Sequence, residues 1–476
     1  MTVSDDDDET NDAEEISAGR KTARGYERRT GKTRAVVLVP VFQRRGRPGP
    51  RDSAEPTPSV HSPEDRLAEA KGLAEAIDLD VRRAIVVPVA APRPGTLFGK
   101  GKLEEIKAIV EAEEAELAIV DHAVSPVQQR NLEKAWSCKV LDRTGLILEI
   151  FGQRARTREG RLQVELAHLT YQKSRLVRSW THLERQRGGA GFLGGPGETQ
   201  LELDRRLIQD RIDAINEELE VVVRTRELHR AGRRRVPYPV AAIVGYTNAG
   251  KSTLFNALTG AGVLAKDQVF ATLDPTMREI KLPGGRRIIL SDTVGFISDL
   301  PTMLVAAFRA TLEEVIEADP ILHVRDISHQ ERDAQRADVE QVLCDLGIAV
   351  SGPDAHILEV WNKIDRLDPL ERDELGHMAA RRNEAQPALV SAITGEGLPE
   401  LLLAIDARLS TNDEIVTLIV PVSDGKLLHW LHENTDVIER GGGESGAMTY
   451  RVRIDKTKRG RLESQLKRAG IALPAE

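Results

Sequence analysis

Residues 245–252 read G-Y-T-N-A-G-K-S and match the P-loop pattern G-x-x-x-x-G-K-[ST]. This motif constrains the fold most, because residues 239–244 predict a buried strand before it and residues 253–258 predict a helix after it. A helix N-terminus presents backbone N–H groups to phosphate, and a lysine adds a positive charge. The motif therefore predicts a nucleotide-phosphate site in which the Ser252 hydroxyl binds Mg²⁺. The predicted phosphate contacts are Gly245, Tyr246, Thr247, Asn248, Ala249, Gly250, Lys251 and Ser252.

Two later segments favour guanine over adenine. Residues 362–365 read N-K-I-D and follow an apolar run that predicts a strand. An aspartate at the end of this motif accepts hydrogen bonds from the ring N–H and the exocyclic amine of guanine, which adenine does not present there. Residues 391–393 follow another predicted strand, and their backbone N–H groups can bind the guanine carbonyl. The predicted base contacts are Asn362, Lys363, Ile364, Asp365, Ser391, Ala392 and Ile393.

A third motif, D-T-V-G at residues 292–295, follows the predicted strand at residues 287–290. Asp292 is placed to order the Mg²⁺ shell, and the Gly295 N–H is placed to bond the γ-phosphate. Thr272 is the predicted second hydroxyl ligand of Mg²⁺, with Thr276 as the alternative, although either could be an ordinary loop hydroxyl. The nucleotide contacts predicted from these segments are Phe270, Ala271, Thr272, Leu273, Asp274, Asp292, Thr293, Val294 and Gly295. The predicted catalytic residues are Lys251, Thr272 and Gly295, and the predicted metal ligands are Ser252 and Thr272.

The residue after Gly295 is Phe296, where many small GTPases carry a glutamine that positions water. A phenyl ring cannot orient a water molecule by hydrogen bonding. We therefore expect slow intrinsic hydrolysis and a partner that supplies the missing function, since a supplied group can be worth about 10³–10⁵ in rate.

The predicted fold is α/β with several units. Residues 1–34 are first acidic and then basic, which predicts a disordered tail. In residues 35–150, strand and helix patterns alternate, which is typical of an open α/β domain with a mostly parallel sheet. Residues 151–236 predict a helical linker, and residues 237–410 a P-loop GTPase domain with a mostly parallel sheet. Residues 411–476 predict a small α+β domain with strand, helix, strand, strand and helix in order. The turn at residues 99–102, G-K-G-K, is equally consistent with a plain connection or a ligand site.

The linker is rich in arginine and is predicted to contain two helices, at residues 157–184 and 201–230, joined by a glycine-rich segment at residues 188–197. Guanidinium groups pair with phosphate through two hydrogen bonds, so the region suits a nucleic-acid surface. Acidic residues are interspersed, and two solvated helices with ion pairs four residues apart would have the same composition. The linker by itself leaves both interpretations open.

Composition excludes several classes of protein. Aromatic residues make up 4% of the 476 residues, which argues against a stacking surface for single-stranded nucleic acid. The cysteines, Cys138 and Cys344, are far apart and predict reduced thiols, and no Cys/His spacing resembles a zinc site. No apolar run approaches the roughly 18–20 residues of a membrane helix, and the N-terminus does not resemble a secretion signal. A cytoplasmic location is the expectation.

Together these motifs resemble the HflX family of ribosome-associated GTPases over residues 84–410. The most specific signatures, besides the P-loop, lie at residues 99–102, 142–144, 154–160, 163–167 and 195–200. The resemblance implies that the chain binds the large ribosomal subunit in its GTP form, with the linker and glycine-rich segment contacting ribosomal RNA. We expect a monomer. It also implies splitting of idle or stalled ribosomes, hydrolysis stimulated by the ribosome, and Thr272 as the Mg²⁺-binding threonine. It favours RNA contact for the linker.

Two departures and two alternatives accompany this interpretation. Residues 1–34 do not map onto the family pattern, and Pro320 and Arg325 interrupt a segment that the family keeps apolar, so the Arg325 side chain must reach a sheet edge or a carboxylate. One alternative is a ribosome assembly or storage factor in which GTP hydrolysis only times release. The other is an ATP-driven RNA remodeller whose N-terminal domain binds a second nucleotide, which the absence of a second P-loop in the sequence disfavours.

Overall fold

The computed structural model describes residues 32–42, 61–184, 196–233, 238–260, 270, 272–273, 275–301, 304, 309–352, 356–382, 386–410, 413–421, 423–442, 447–455 and 459–471. Nearly all of the predicted tail at residues 1–34 lies outside these residues, as does the glycine-rich segment from 188 to 195. None of the described helices is long and apolar enough to cross a membrane.

The N-terminal sheet has four parallel strands in the order β2-β1-β3-β4. Its strands are β1 (Arg34–Phe42), β2 (Asp80–Val89), β3 (Leu117–Val120) and β4 (Lys139–Asp142). The helices between them are α1 (Pro63–Glu75), α2 (Lys100–Ala112) and α3 (Pro126–Trp136). Adjacent residues of β1, Val36 and Val37, are both fully buried because helices cover both faces of the sheet. The predicted open α/β fold is confirmed.

The region that follows is helical and partly buried. Its helices are α4 (Arg143–Arg154), α5 (Arg158–Glu184) and α6 (Pro196–Arg233). The buried face of α4 includes Leu146, Ile147 and Phe151, so this helix belongs to the core of the N-terminal domain. The predicted end of the N-terminal domain, at residue 150, thus falls inside α4. The second linker helix begins at Pro196, earlier than predicted, because proline suits the first turn of a helix.

The P-loop domain contains a six-stranded sheet in the order β10-β9-β8-β5-β7-β6. Its strands are β5 (Val240–Gly245), β6 (Thr276–Lys281), β7 (Arg287–Asp292), β8 (Ile321–Asp326), β9 (Ile357–Asn362) and β10 (Ala388–Leu389). Its helices are α7 (Lys251–Thr259), α8 (Arg309–Ile316), α9 (Arg332–Asp345), α10 (Pro369–Ala380) and α11 (Leu398–Ser410), with a 3₁₀ turn at Ile364–Arg366. Only the pair β6 and β7 is antiparallel among the strand pairs described in this sheet. The carboxyl ends of the parallel strands therefore meet at one edge, where the nucleotide motifs lie.

The C-terminal unit is a three-stranded antiparallel sheet with two helices, in the predicted order. It consists of β11 (Asp413–Pro421), α12 (Gly425–Asn434), β12 (Asp436–Gly442), β13 (Ala447–Asp455) and α13 (Arg459–Arg468). Its own core includes Leu418, Leu431 and Val452. Arg453 donates a hydrogen bond to the Gly284 carbonyl at 3.0 Å, which joins this unit to the hairpin between β6 and β7.

Candidate nucleotide-binding site

The loop between β5 and α7 has the backbone conformation that a phosphate cradle needs. Gly245 and Gly250 have φ values of +151° and +91°. A Cβ atom would lie 2.2 Å from the Val324 carbonyl oxygen at Gly245, and 2.3 Å from Asn362 Nδ2 at Gly250. Only glycine fits at these two places. The loop therefore turns sharply and presents the N-terminus of α7, which starts at Lys251, to a bound phosphate.

Lys251 is held inside this cradle. Its side chain is buried, and Nζ donates a hydrogen bond to the Tyr246 carbonyl at 2.7 Å. Burial lowers the pKa of Lys251 to about 8, although nearby Asp292 acts in the opposite direction. A phosphate would stabilise the ammonium form of this lysine, which suits a group that binds an anion.

Three oxygen atoms converge beside the cradle. Ser252 Oγ and Thr272 Oγ1 both donate to Asp292 Oδ2, at 2.7 Å and 2.9 Å, and the two hydroxyl oxygens lie 3.0 Å apart. Burial raises the pKa of Asp292, and its Oδ1 atom is buried without a hydrogen-bond partner among the described residues. Thr276 instead lies in β6, paired with Asp292 across the strands. Hydroxyl and carboxylate oxygens are ligands that Mg²⁺ prefers, so this group fits the ion.

The guanine motif and the P-loop are connected by Asn362. Its Nδ2 donates to the Ala249 carbonyl at 2.9 Å, and its Oδ1 accepts from the Ala392 N–H at 3.0 Å. Asn362 thus braces two nucleotide loops. At the end of the motif, Asp365 is exposed and accepts a 2.6 Å hydrogen bond from the Ser391 hydroxyl, which orients its carboxylate.

The remaining predicted base contacts differ in exposure. Ile364 is buried in the core beside Leu375, so its side chain has a structural position. Ile393 is 70% exposed at the rim of the site. Lys363 donates to Asp326 Oδ2 at 2.7 Å, a contact that the motif alone did not indicate. The signal that could have revealed it is the position of Asp326 at the end of β8, directly opposite Asn362 in the neighbouring strand.

The segment after D-T-V-G is hydrogen-bonded to the P-loop. The Phe296 N–H donates to the Gly245 carbonyl at 3.1 Å, and its carbonyl accepts from the Thr247 N–H at 2.7 Å. Gly295 packs so closely that a Cβ atom there would lie 2.8 Å from Lys251 Nζ. Thr293 upstream is fixed by a 2.6 Å hydrogen bond from its hydroxyl to the Ile243 carbonyl.

The phenyl ring of Phe296 lies in an apolar pocket and is 1% exposed. The pocket is also lined by Val294 and by two phenylalanines in edge contact, Phe151 of α4 and Phe270, whose ring centroids are 4.7 Å apart. Leu273 is buried in the same core cluster. Among the predicted contacts, Ala271 and Asp274 lie outside the described residues.

Arg325 meets the expectation set by its unusual place in a strand. It is 5% exposed, and its guanidinium group donates to the carboxylates of Glu359 at 2.9 Å and Asp333 at 2.7 Å. The side chain thus reaches carboxylates, as the sequence required.

Four family models match the chain in order. Their descriptions are a GTP-binding GTPase N-terminal region at residues 64–152, a GTP-binding GTPase middle region at 154–233, a 50S ribosome-binding GTPase at 240–363 and an HflX C-terminal domain at 377–472. A relative described as GTPase HflX from Magnetococcus marinus is 50% identical over 85% of this chain and 91% of its own length. The chain belongs to the HflX family. A GTPase HflX from Escherichia coli is 45% identical over 82% of this chain and 89% of that protein. The predicted family and the predicted GTP-hydrolysing activity are confirmed.

Solved structures of GTP-binding proteins also resemble this member of the HflX family. A complex of SsGBP with GDP is 24% identical and covers 79% of this chain and 98% of that chain, with a TM-score of 0.45. A GTP-binding protein from Sulfolobus solfataricus in complex with GDP is 23% identical and covers 79% of this chain and 99% of that chain, with a TM-score of 0.40.

Proposed function

We propose that this HflX-family GTPase binds the large ribosomal subunit in its GTP form and splits stalled or idle ribosomes. The ribosome then stimulates hydrolysis of GTP to GDP and phosphate. The observation that carries the proposal is the buried ring of Phe296 directly after the D-T-V-G motif. A site that lacks a water-orienting side chain at this position gains most from a partner. The match of residues 240–363 to a model described as a 50S ribosome-binding GTPase supports the ribosome as that partner.

Each site residue has a proposed role in phosphoryl transfer to water. Lys251 neutralises the β- and γ-phosphates, and the N–H of Gly295 bonds the γ-phosphate. Ser252 and Thr272 would hold Mg²⁺, with Asp292 orienting its shell. When bound, the ion would offset negative charge on the phosphates. Asp365 reads the guanine edge, and Ser391 holds its carboxylate in place.

The two long helices of the linker, α5 and α6, support a contact with a large partner. Some of its arginines bond within the protein: Arg211 pairs with Glu165 at 2.8 Å and Arg175 pairs with the buried Asp142. Helix α6 also exposes two leucines one turn apart, Leu203 and Leu207, which are 57% and 58% exposed. Exposed apolar side chains on a long helix are typical of an interaction surface. We propose that ribosomal RNA and neighbouring ribosomal protein cover it.

Each domain of the chain would then have a separate role. We propose a tail at residues 1–34, an N-terminal domain ending at the residues between α4 and α5, a linker to residue 236, the GTPase domain to residue 410 and a C-terminal domain to residue 476. The loops around Thr272 and Gly295 would change between ordered and disordered states with the bound nucleotide, and the N-terminal domain and linker would respond to that change.

The test measures GTP turnover and ribosome splitting in parallel. Purified protein is assayed alone, with large subunits and with whole ribosomes, and splitting is followed by light scattering with GTP, a non-hydrolysable GTP analogue or GDP. We expect stimulation of turnover by about 10³-fold or more, and splitting with GTP and the analogue but not GDP. A variant lacking residues 188–195 should bind GTP normally and lose the stimulation. Equal turnover with and without ribosomes would contradict the proposal.

The alternative is a ribosome assembly or storage factor whose GTP hydrolysis only times its release. The nucleotide site would be the same in both cases, so the difference lies in the substrate particle. Binding to immature or free large subunits without splitting of whole ribosomes would favour the alternative.

A further inference from the structure

The predicted guanine site is built from two segments of the GTPase domain, and a hydrogen bond joins them at the base-reading carboxylate. Ser391 Oγ donates to Asp365 Oδ1 at 2.6 Å, so the second segment holds the carboxylate of the first. Ser391 Oγ also accepts a hydrogen bond from the Thr394 N–H at 3.2 Å. The orientation of Asp365 therefore depends on the turn at residues 391–397, which we call the base turn.

The base turn is closed by its own backbone. The Ser391 N–H donates to the Glu396 carbonyl at 2.9 Å, and the Ser391 carbonyl accepts from the Gly395 N–H at 2.9 Å. Gly397 has a left-handed φ of +74°, and a Cβ atom there would lie 1.9 Å from the Leu389 carbonyl oxygen. Only glycine fits at this position. The base turn is therefore a compact unit whose last residue packs against β10.

The other segment of the site leads into α10, whose first turn is fixed by its N-cap. Asp368 Oδ1 accepts from the Glu371 N–H at 2.8 Å, and the Glu371 side chain accepts in return from the Asp368 N–H at 3.4 Å. Arg372 follows in the same turn, and its N–H donates to the Asp368 carbonyl at 3.0 Å. The Arg372 side chain therefore extends from a backbone position that is fixed close to Asp365 in the chain.

Arg372 and Glu396 form an ion pair between α10 and the base turn. Arg372 Nη2 donates a hydrogen bond to Glu396 Oε1. This is a second connection between the two segments of the site, in addition to the bond between Ser391 and Asp365. The paired side chains are 40% and 48% exposed. Because water screens exposed ion pairs, the contribution of this pair is a few-fold effect on a rate or an affinity.

We propose that Arg372 and Glu396 are positioning residues that slow the release of guanine nucleotides. The ion pair holds the base turn against α10, so that Asp365 and the backbone of residues 391–393 stay together around the base. Release requires these two segments to separate, and the ion pair opposes that separation. The proposal rests on the assignment of guanine to these residues. The pair does not include the groups assigned to the phosphates and Mg²⁺, so the chemical step should not depend on it.

The test measures the release of a fluorescent GDP analogue from the full-length protein after addition of excess unlabelled GDP. The variants are Arg372→Glu, Glu396→Arg and the double variant that exchanges the two charges. We expect each single variant to release the analogue about three- to fivefold faster, because like charges then face each other. The double variant should return to within about twofold of the wild-type rate, since it restores the attraction.

Two further readouts separate positioning from a general loss of structure. Single-turnover hydrolysis of bound GTP should change less than about twofold in all three variants. High salt should speed release from the wild type and slow it in Arg372→Glu and Glu396→Arg, because screening weakens attraction and repulsion alike. Unchanged release in both single variants would overturn the proposal. So would a double variant that releases as fast as the single variants, or a loss of hydrolysis that matches the faster release.

The matched control exchanges the charges of Arg287 and Glu279. These residues form another half-exposed ion pair of the GTPase domain, at 3.2 Å, between β7 and β6. Nucleotide release should be unchanged in this control. Asp365→Asn separates the two levels of inference. Wild-type release in that variant would remove both the base assignment and the role of the Arg372 pair, whereas fast release there with normal release in Arg372→Glu would overturn the role of the pair alone.

Discussion

The Lys363 ammonium group donates a hydrogen bond to the Asp326 carboxylate at 2.7 Å, and both side chains are buried. The other oxygen of Asp326 accepts two hydrogen bonds from Ser328, from its N–H at 3.1 Å and its hydroxyl at 2.6 Å. Lys363 also has a left-handed φ of +66°. The second residue of the N-K-x-D motif is therefore oriented by a strand that the motif does not include.

Replacing Asp326 should weaken nucleotide binding. Asp326→Asn keeps the shape but removes the charge that holds the buried ammonium, so we expect affinity for GDP and GTP to fall about tenfold each. Equilibrium titration with a fluorescent guanine nucleotide measures both constants. Asp333→Asn is the control, because Asp333 pairs with Arg325 on the far side of the sheet and should leave both affinities unchanged. Equal effects of the two substitutions would contradict the role of Asp326.

Asp365 should determine which base is bound. Asp365→Asn replaces one acceptor with a donor, so the guanine amine loses its partner while the 2-oxo group of xanthine gains one. We expect GTP affinity to fall at least about a hundredfold and xanthosine triphosphate to become the better ligand. Competition between the two nucleotides gives the ratio directly. Asp368→Asn makes the same charge change at the N-cap of α10 and should preserve guanine selectivity. Retained guanine preference in Asp365→Asn would mean that another group reads the base.

His61 should couple stability to pH. Its ring bonds Asp338 of α9 at 2.7 Å and Glu331, the N-cap residue of α9, at 2.5 Å; both belong to the GTPase domain. The hydrogen bond that the His61 ring donates to Asp338, with further support from Glu331, raises the pKa of His61 from 6.5 to about 9, although burial opposes the charge. The folded state therefore binds the proton more tightly than the unfolded state. The stabilisation is complete below pH 6.5 and is lost as the pH rises to about 9.

This pH dependence can be measured with His61→Gln. The stability difference between wild type and variant in urea unfolding should shrink by up to about 3 kcal/mol across that pH range, from the size of the pKa change. A difference that stays constant with pH would show that His61 acts as a neutral hydrogen-bonding group.

Arg325 should stabilise the GTPase domain without contributing to nucleotide binding. Burial alone would favour the neutral form of Glu359, but a hydrogen bond from Trp361 and the charge of Arg325 lower its pKa to about 2. Arg325→Met leaves Glu359 with Trp361 and the more exposed Arg336 and Arg382 as partners. We therefore expect a loss of about 2–3 kcal/mol in unfolding free energy and unchanged GDP affinity. Arg336→Met is the control: its side chain is 32% exposed, and the expected loss is below about 1 kcal/mol. A loss of GDP affinity in Arg325→Met would instead connect this cluster to the site.

The nucleotide site was largely predictable because its motifs are local. Each one is a short run at the end of a strand, and parallel strands bring such ends to one edge. Thr272 and Thr276 are equivalent as sequence. The structure separates them: Thr272 bonds Asp292 at 2.9 Å, and Thr276 is paired within β6. Asn362 is a predicted base contact, and the structure adds that its side chain braces two loops.

The sequence by itself determined the family, the guanine site and the order of strands and helices, because these depend on contiguous residues and on hydrophobic period. Only the tertiary structure decided what surrounds the site. Glu69 lies 177 positions from Tyr246, and Arg143 lies 155 positions from Ser298. No local pattern encodes such pairs, because their contact depends on how two domains pack. Two of the side chains that bond Ser298, Arg143 and Glu69, therefore come from a domain that carries no nucleotide motif.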